Sequence, residues 1–273
     1  MDKESWQVPN YTVTEINNND RKKYCVCVPV INEGDKIQKQ LKKMSSYSNV
    51  VDIIILDGGS TDGSLSIPFL NEVGVKTLLV KMDTGKLSAQ LRMGFAYAIE
   101  QGYEGIITVD GNNKDGVETI PDFIGKLNEG YDFVQGSRYV PGGIEINTPF
   151  SRKLAIKLIH APVISFIAGF RYTDTTNGFR AHSRQFLIDP RVNPFRDIFN
   201  TYELLAYLSV RSKRLGYRVI EIPVTRVYPK GKVPTKISPW KGNILLLKIL
   251  FKLSLNKFNP NPSSNKQKHV QTM

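Results

Sequence analysis

Short apolar runs alternate with longer amphipathic stretches along the first half of the chain. The runs predict strands at residues 25–30, 51–56, 76–80, 105–109 and 131–134. Between them, apolar residues recur at helical spacing, which predicts helices starting near Asn32 and over residues 64–72, 86–101 and 119–127. Residues 51–56 are apolar at nearly every position, as in a parallel strand buried on both faces. Strands that alternate with helices predict an α/β fold with right-handed crossovers.

The second half of the chain has a less regular pattern. Residues 152–168 have helical character interrupted by Pro162, residues 201–213 predict a helix, and residues 217–222 predict a strand. Residues 1–23 read as a polar lead-in with one short strand near Tyr11. From Asn259 onward, the tail is rich in Pro, Ser and Asn, which predicts disorder over residues 259–273.

Composition and charge narrow the classes of protein to consider. With 273 residues, the chain forms one large domain or two small ones. Its three histidines are scattered, which argues against a histidine-rich metal site or a Ser-His triad. Cys25 and Cys27 alternate along a predicted strand, and no secretory signal precedes them, so a reduced cytosolic chain is expected.

The excess positive charge of +12 lies in the last quarter of the chain. Residues 205–273 hold 14 of the 37 Lys and Arg but only one of the 25 Asp and Glu. Such asymmetry indicates a polyanionic or membrane-surface partner for that end. The aromatic residues do not interleave with the basic ones as a stacking platform for nucleic acid would, so no nucleic-acid partner is expected.

Acids and amides follow several predicted strands at their carboxyl ends, where open α/β sheets bind ligands. The loop at residues 57–63 begins with Asp57, and a second loop begins with Asp110. A carboxylate suits the hydroxyls of a ribose or the N–H groups of a base, whereas a divalent ion would let Asp110 approach a diphosphate. These loops favour a nucleotide site. The alternative is a solvated acidic turn at Asp57 and a capping aspartate at Asp110.

Taken in order, these segments resemble inverting family 2 glycosyltransferases with a GT-A fold, especially the dolichol-phosphate mannose synthase-like branch. The matching motifs are Pro29-x-x-Asn32-Glu33, Asp57-x-Gly59-Ser60-Thr61-Asp62-Gly63, Gly136-Ser137-Arg138-Tyr139 and Asp174-Thr-Thr-Asn177-Gly-Phe-Arg180. Gly58 stands where the branch has a second aspartate, and Asn177 where it usually has serine. The resemblance implies a Rossmann-like, mixed and mainly parallel sheet with helices on both faces.

The resemblance divides the chain into regions. It implies a GT-A domain over residues 24–236, with a nucleotide-sugar-binding half at 24–135 and an acceptor-side half at 136–236. The residues that it implies for the nucleotide sugar are Pro29, Asn32, Glu33, Asp57, Gly59, Ser60, Asp62, Lys86 and Asp110. Those implied for catalysis are Asp174, Glu203 and Arg138, and those for the acceptor or the diphosphate are Arg180, Lys230 and Lys236.

The metal motif departs from the pattern of the branch. The branch reads Asp-x-Asp-x-Gln, whereas this chain reads Asp110-Gly111-Asn112-Asn113-Lys114. One hypothesis is a Mg²⁺ or Mn²⁺ site held by Asp110 and Asn112, helped by Asp115. The other is a weakened metal requirement, with the Lys114 ammonium partly standing in for the ion.

The resemblance implies a single displacement at the anomeric carbon of a nucleotide-diphosphate sugar, in cell-surface glycan assembly. A hydroxyl acceptor would need a general base, for which Asp174 and Glu203 are the best placed, with Asp115 a further candidate. A phosphate acceptor, such as a polyprenyl phosphate, is already anionic and needs none. Asp174 has an alternative interpretation as a structural residue of its loop. The expected acceptor is therefore either a lipid-linked molecule or a saccharide.

The basic segment at residues 237–258 includes an apolar stretch interrupted by lysines. It is too short and too charged to span a bilayer. Residues 240–258 therefore predict an amphipathic helix that contacts the membrane interface, and a peripheral position at the cytoplasmic membrane face. The alternative is a terminal helix packed on the domain.

Two other functional classes remain. A sugar-phosphate nucleotidylyltransferase uses a related fold, but its first loop is a glycine-rich phosphate cradle, whereas residues 29–33 offer acids and amides. A non-catalytic or degenerate GT-A-like protein could bind the membrane surface through its basic end, but its crevice acids would then be idle. A glycosyltransferase accounts for both features.

Overall fold

The computed structural model describes residues 3–231 and 239–260. The strands are β1 (Tyr11–Glu15), β2 (Tyr24–Val30), β3 (Asp52–Asp57), β4 (Val75–Lys81), β5 (Gly105–Thr108), β6 (Phe133–Ser137), β7 (Ile144–Ile146), β8 (Arg180–Ser183), β9 (Val219–Pro223) and β10 (Thr225–Val227). The helices are α1 (Asp35–Met44), α2 (Ile67–Glu72), α3 (Leu87–Glu100), α4 (Ile120–Asn128), α5 (Phe150–Ala155), α6 (Ala161–Ala168), α7 (Arg184–Ile188), α8 (Glu203–Arg214) and α9 (Pro239–Ser254). A π-helical turn at Ile156–His160 joins α5 to α6.

Eight strands form one mixed sheet in the order β1-β4-β3-β2-β5-β8-β6-β9. Strands β4, β3, β2 and β5 run parallel, as do β6 and β9, whereas β1 and β8 are antiparallel to their neighbours. Strands β7 and β10 pair in parallel outside this sheet. The predicted α/β, mainly parallel architecture is confirmed.

The sheet has a separate hydrophobic core on each face, because side chains alternate along its buried strands. Cys25, Cys27 and Leu56 face one core with residues of α3, α6, α8 and α9. Val26 and Ile55 face the other with residues of α1 and α4. Both cysteines are free and buried on the same face, as the sequence predicts. Helices therefore cover both faces, and the loops at the strand ends are left to form a crevice.

Three features of the fold differ from the sequence-based expectation. The central strand β8 was not predicted, because its sequence, Arg-Ala-His-Ser, has no apolar alternation. The β7–β10 pair was also missed. The prediction that Asn32 caps the first helix is wrong. Helix α1 begins at Asp35, and the Oδ1 atom of Asn32 instead accepts a hydrogen bond from the Thr61 N–H, 2.8 Å away.

The N-terminal residues are part of the folded domain. Strand β1 pairs along its whole length with residues 77–81 of β4, so the short strand expected near Tyr11 extends to Glu15. Before it, Trp6 stacks on Phe195 with ring centroids 4.1 Å apart, and Gln7 N–H donates to the Phe195 carbonyl. The N-terminal segment thus contacts both β4, at one edge of the sheet, and Phe195, in the second half of the chain.

Helix α9 packs on the domain and also exposes apolar side chains. Ile249, Leu250 and Leu253 are buried in the core that contains α6 and α8. On its outer face Ile244, Leu247 and Phe251 are exposed, and so is Leu255 directly after the helix. Within residues 3–231 and 239–260, no helix is long and apolar enough to cross a bilayer. Residues 261–273, most of the tail predicted to be disordered, lie outside the described residues.

Candidate functional site

The loop after β3 is organised around the Asp57 carboxylate. Asp57 is only 5% exposed, and it accepts hydrogen bonds from the Ser60 N–H at 2.9 Å and the Ser60 hydroxyl at 2.6 Å. Gly59 lies in the turn between them. The carboxylate thereby shapes the loop that the sequence assigns to the nucleoside, and it leaves little of its own surface exposed.

Further hydrogen bonds join this loop to the one after β2. Besides the contact between Asn32 and Thr61, the Asn32 N–H donates to the Ser60 hydroxyl at 3.0 Å. Asp62 accepts from the Gly34 N–H at 2.8 Å and from the Ser64 hydroxyl at 2.7 Å. Burial works to raise the pKa of Asp62, but these hydrogen bonds outweigh it and leave the pKa below its usual value. The two loops therefore form one rigid wall of the crevice.

Two other residues of the first motif flank this wall. Pro29 lies within β2, opposite Leu56, and Glu33 lies 3.3 Å from the Lys36 ammonium. Gly58, which replaces the usual second aspartate, packs against Gln90. A Cβ atom at position 58 would come within 3.0 Å of the Gln90 Nε2 atom, which donates to the carbonyls of Val30 and Leu56. Gln90 thus fills the space beside Gly58.

Lys86 and Glu203 lie together where α3 and α8 begin. The Lys86 N–H donates to the Asn200 carbonyl at 2.8 Å, and its ammonium lies 5.7 Å from the centre of the Tyr202 ring. Glu203 is largely buried and accepts from the Thr201 N–H at 2.7 Å. A carboxylate in the first turn of a helix is stabilised there, so Glu203 has a local structural role in this conformation.

Arg138 and Asp174 form a buried ion pair. The Arg138 Nε and Nη2 atoms donate to the two carboxylate oxygens of Asp174 at 2.6 and 2.9 Å, and Nη2 also donates to the Thr176 hydroxyl. Burial works to lower the pKa of Arg138, but Asp174 raises it above its usual value. Asp174 has no exposed surface and both oxygens are engaged. The geometry thus favours the structural interpretation of Asp174 over the role of general base.

Arg180 was predicted to contact the acceptor or the diphosphate, but in the structure it is bonded within the protein. Its side chain is buried in β8, and its guanidinium donates to the carbonyls of Asn177 and Thr175 and to the Ser209 hydroxyl, at 2.8–2.9 Å. Burial lowers the pKa of Arg180 to about 10. Because these protein groups already use its donors, Arg180 orders the loop of residues 175–177 and offers little to a ligand.

Asp110 and Asp115 share one arginine, Arg226 of β10. Its Nη1 atom lies 2.7 and 2.6 Å from the two carboxylate oxygens of Asp115, and its Nη2 atom lies 3.0 Å from Asp110 Oδ2. Burial raises the pKa of Asp115 to about 6, against the opposing pull of Arg226. Burial works to lower the pKa of Arg226, but the carboxylates of Asp115 and Asp110 outweigh this effect and raise the pKa well above its usual value.

Asp110 and Asn112 supply the oxygen atoms that a hard divalent ion prefers. The Asp110 side chain is 26% exposed, and its Oδ1 atom lies close to Gly178, where an added Cβ would come within 2.4 Å. The Asn112 side-chain oxygen Oδ1 accepts from the Lys114 N–H at 3.2 Å. Within the described residues, no three His, Cys, Asp or Glu side chains form a metal-binding group.

A cluster of cations surrounds the buried side chain of Tyr228. The sequence analysis assigned no role to this tyrosine. Its hydroxyl lies 3.4 Å from Arg138 Nη1, 3.3 Å from Arg152 Nη1 and 3.3 Å from Arg226 Nε. The Lys114 ammonium lies 5.3 Å from its ring centre. Burial works to raise the pKa of Tyr228, but the arginines lower it overall. We refer to these five residues as the Tyr228 cluster.

The basic loop that follows β10 contributes less to the described site. Lys230 is exposed, and Lys236 lies outside the described residues. The cation that contacts Asp110 is instead Arg226 of β10, and Arg152 of α5 and Arg138 of the loop after β6 contact Tyr228 beside it. Arg138 was assigned a site role from its motif. The contacts of Arg152 with Tyr228 and of Arg226 with Asp115 could not be found by motif, because each joins residues more than 70 positions apart in the chain.

An exposed apolar stripe begins beside the Tyr228 cluster. Phe150 and Phe166 are 77% and 90% exposed, and Leu154, Leu158 and Pro162 lie between them at intervals of four residues. Residues 146–173 contain no acid and four Lys or Arg, and residues 239–260 likewise contain no acid and four Lys. Helices α6 and α9 are in contact. We call the stripe on residues 150–166 and the outer face of α9 the apolar surface.

The sequence matches a known family over most of this region. The model of the family described as Glycosyl transferase family 2 matches residues 25–196. The chain is 27% identical over 202 residues to an undecaprenyl-phosphate mannosyltransferase of Micrococcus luteus, which covers 73% of this chain and 82% of that protein. It is 25% identical over 203 residues to the polyprenol monophosphomannose synthase of Mycolicibacterium smegmatis, covering 73% and 76%.

The fold matches solved structures of glucosyl-3-phosphoglycerate synthase from Mycobacterium tuberculosis. The complex with UDP superposes with a TM-score of 0.62 and 16% identity, covering 89% of this chain and 82% of that one. The complex with Mn²⁺, UDP-glucose and phosphoglyceric acid superposes with a TM-score of 0.60 over the same shares. At this identity the likeness establishes the GT-A fold. Divalent metal is thus found in structures of this fold.

Proposed function

Because the chain belongs to glycosyl transferase family 2, we propose that it transfers a sugar from a nucleotide-diphosphate sugar to a polyprenyl phosphate. The chain is a glycosyltransferase, and the proposal concerns its acceptor and its site residues. One observation carries it: Arg152, on the helix whose exposed stripe begins at Phe150, also contacts Tyr228 in the cation cluster. An apolar surface and a phosphate-binding charge thus meet within one turn of helix.

The donor would lie along the wall formed by the loops at Asn32 and Asp57. Those loops offer hydroxyls, amides and carboxylates, which suit a ribose and a base. The diphosphate would reach towards Asp110, where Arg226 and Lys114 supply positive charge. Stabilising the charge that develops on the leaving diphosphate is the main catalytic requirement of such a displacement.

A phosphate acceptor is consistent with the environment of Asp174, whose carboxylate is paired with Arg138 and is not free to act as a base. In the reaction, a phosphate oxygen of the acceptor forms a bond to the anomeric carbon while the bond to the diphosphate breaks, and the configuration inverts. No proton has to be removed from the acceptor, because a phosphate monoester is already ionised at neutral pH. Arg138 and Arg152 are the cations best placed to hold it.

Mg²⁺ or Mn²⁺ would be held by Asp110 and Asn112. When bound, such an ion supplies positive charge that neutralises the departing diphosphate. The Asp110 carboxylate also contacts the Nη2 atom of Arg226.

The acceptor assay follows from the charge argument. We expect the protein to move sugar to undecaprenyl phosphate and not to undecaprenol, which lacks the phosphate and would need a general base. A panel of nucleotide sugars, first ranked by thermal shift with and without Mn²⁺, supplies the donors. Transfer to a soluble saccharide, with none to undecaprenyl phosphate, would contradict the proposal and favour Glu203 as a base.

We also propose that the apolar surface rests on the membrane that carries this acceptor. Its basic residues complement anionic headgroups, and each contributes about 1 kcal/mol near such a surface. The test is flotation with vesicles of phosphatidylglycerol and phosphatidylcholine. We expect Phe166→Ser and Phe251→Ser to reduce the bound fraction, whereas Met82→Ser, at an exposed apolar residue elsewhere, should leave it unchanged. Equal binding by all variants would contradict this surface assignment.

A further inference from the structure

Arg226 and a divalent ion compete for the same carboxylate. Of the candidate ligands Asp110 and Asn112, Asp110 is the charged one, and its Oδ2 atom is the acceptor for Arg226 Nη2, at 3.0 Å. An ion at Asp110 would therefore face a fixed guanidinium at close range. Like charges repel strongly where little solvent screens them, and Arg226 is almost completely buried.

The two contacts of Arg226 are unequal. Asp115 has no exposed side-chain surface and binds Nη1 with both oxygens, at 2.6 and 2.7 Å. The contact with Asp110 is single and longer, and Asp110 is partly exposed. The backbone adds to this difference, because Asp115 and Arg226 form an antiparallel bridge and the Val227 N–H donates to the Lys114 carbonyl. Arg226 is thus anchored at Asp115 and can separate from Asp110.

Lys114 is less suited to take the position of the ion. Its ammonium lies over the Tyr228 ring, 5.3 Å from the ring centre. Burial lowers the pKa of Lys114, and Arg226 lowers it further. In this conformation Arg226 is the cation that contacts the Asp110 carboxylate.

We propose that Arg226 is the resident counter-ion of Asp110, and that a divalent ion binds there only when the guanidinium leaves Asp110 while Asp115 retains it. The departure frees an Nη2 N–H to donate to a diphosphate oxygen. The ion and the nucleotide would therefore bind together, and the ion alone would bind weakly. The role in donor binding rests on the proposed function, whereas the competition itself does not.

The competition is tested by Mn²⁺ binding to the full chain without nucleotide, measured from the electron paramagnetic resonance signal of free Mn²⁺. We expect Arg226→Gln to bind one Mn²⁺ at least tenfold more tightly than the unaltered protein. Adding Asp110→Asn to that variant should abolish the gain. Arg152→Gln is the matched control, because it removes an arginine from the Tyr228 cluster that does not contact Asp110, and it should change the affinity far less.

A second variant addresses the folding of Arg226→Gln, which leaves the buried Asp115 without a partner. Asp115→Asn with Arg226→Gln replaces the ion pair by two amides and should show the same gain in Mn²⁺ affinity, since Asp110 is again unoccupied by arginine. An affinity equal to or weaker than that of the unaltered protein in this double variant would overturn the proposal. So would an equal gain in Arg152→Gln. Neither result depends on sugar transfer, so failure of the proposed function would be seen separately.

Discussion

The two walls of the crevice use aspartate in opposite ways. On the wall at Asp57 and Asp62, carboxylates accept hydrogen bonds from serines and backbone N–H groups of neighbouring loops. On the wall at Asp110, Asp115 and Asp174, carboxylates hold arginines. The first arrangement, which we call the loop wall, holds the backbone of the loops in place. The second, which we call the arginine wall, holds cations in place.

We propose that this difference separates two parts of one reaction. A nucleoside is recognised by hydrogen-bonding groups and does not require cations. The carboxylates of the loop wall can therefore be used to hold the loops together. Phosphates need cations at defined distances, and a buried cation is stable only with a carboxylate beside it. Consequently the arginine wall carries ionisable groups in its interior, and its integrity depends on charge in a way that the loop wall does not.

The largest expected contrast is in turnover. Asp110→Ala should lower kcat by at least about a hundredfold, because it removes the candidate metal ligand and releases Arg226. Asp57→Ala should mainly raise KM for the donor, since it frees the Ser60 loop that we assign to the nucleoside. Steady-state kinetics with the identified donor would check this. A kcat loss in Asp57→Ala with a KM change in Asp110→Ala would reverse the assignment of the two walls.

Breaking the ion pair of the arginine wall should have the largest effect on stability. Asp174→Asn leaves Arg138 buried without a counter-charge, and we expect a loss of about 3–5 kcal/mol in the free energy of unfolding. Urea denaturation measures it. In the double variant with Arg138→Gln the loss should be smaller than the sum of the single losses. A cost below about 1 kcal/mol for Asp174→Asn would indicate that the pair is not needed.

The buried histidine behind the arginine wall predicts a pH dependence. His182 lies among Phe95, Phe133 and Phe186, and burial, reinforced by Arg180 on the same strand, lowers its pKa to about 3. The unfolded chain therefore binds a proton that the folded protein does not, and stability falls as the pH drops below about 6.5.

Between pH 6.5 and pH 5 this histidine should cost about 2 kcal/mol of the free energy of unfolding. His182→Phe should remove that share of the loss, which urea denaturation at the two pH values would measure. An unchanged pH dependence in the variant would show that other groups account for it.

The smallest effect is expected on the loop wall. Ser60→Ala removes the hydroxyl that donates to Asp57 and accepts from Asn32, and we expect a loss of about 1 kcal/mol in the free energy of unfolding. Ser46→Ala, at an exposed serine bonded to the Lys43 carbonyl, is the control and should change stability by less than about 0.5 kcal/mol. An equal loss in the free energy of unfolding for both variants would show that the Ser60 hydroxyl does not stabilise the loop wall more than an ordinary surface hydrogen bond does.

The sequence was sufficient for the parallel half of the sheet and for the loop wall. Strands β2 to β5 are apolar runs between helices of regular period, so local pattern and topology agree. The loop wall also has a local signature, since its acids, glycines and serines follow directly from two of these strands. Even so, the role of Asn32 was mistaken, because an asparagine that could cap a helix instead bonds a loop 29 residues away.

The arginine wall could not be predicted in the same way. Its contacts join residues 36, 111 and 116 positions apart, and no periodicity encodes such pairs. Arg180 was assigned to the site because it belongs to a motif, yet it serves the unpredicted strand β8. Conversely, Tyr228 and Arg226 lie in a stretch that resembles an ordinary basic strand end.

The pairing of β1 with β4 bears on how this protein can be shortened. A protein beginning at Tyr24, where the recognisable motifs start, would lack β1 and expose the hydrogen-bonding edge of β4, whose sequence is Val-Lys-Thr-Leu-Leu-Val-Lys. Unpaired, largely apolar edges recruit strands from other molecules. Such a truncation is therefore expected to yield aggregates, and the first residues protect the sheet from self-association.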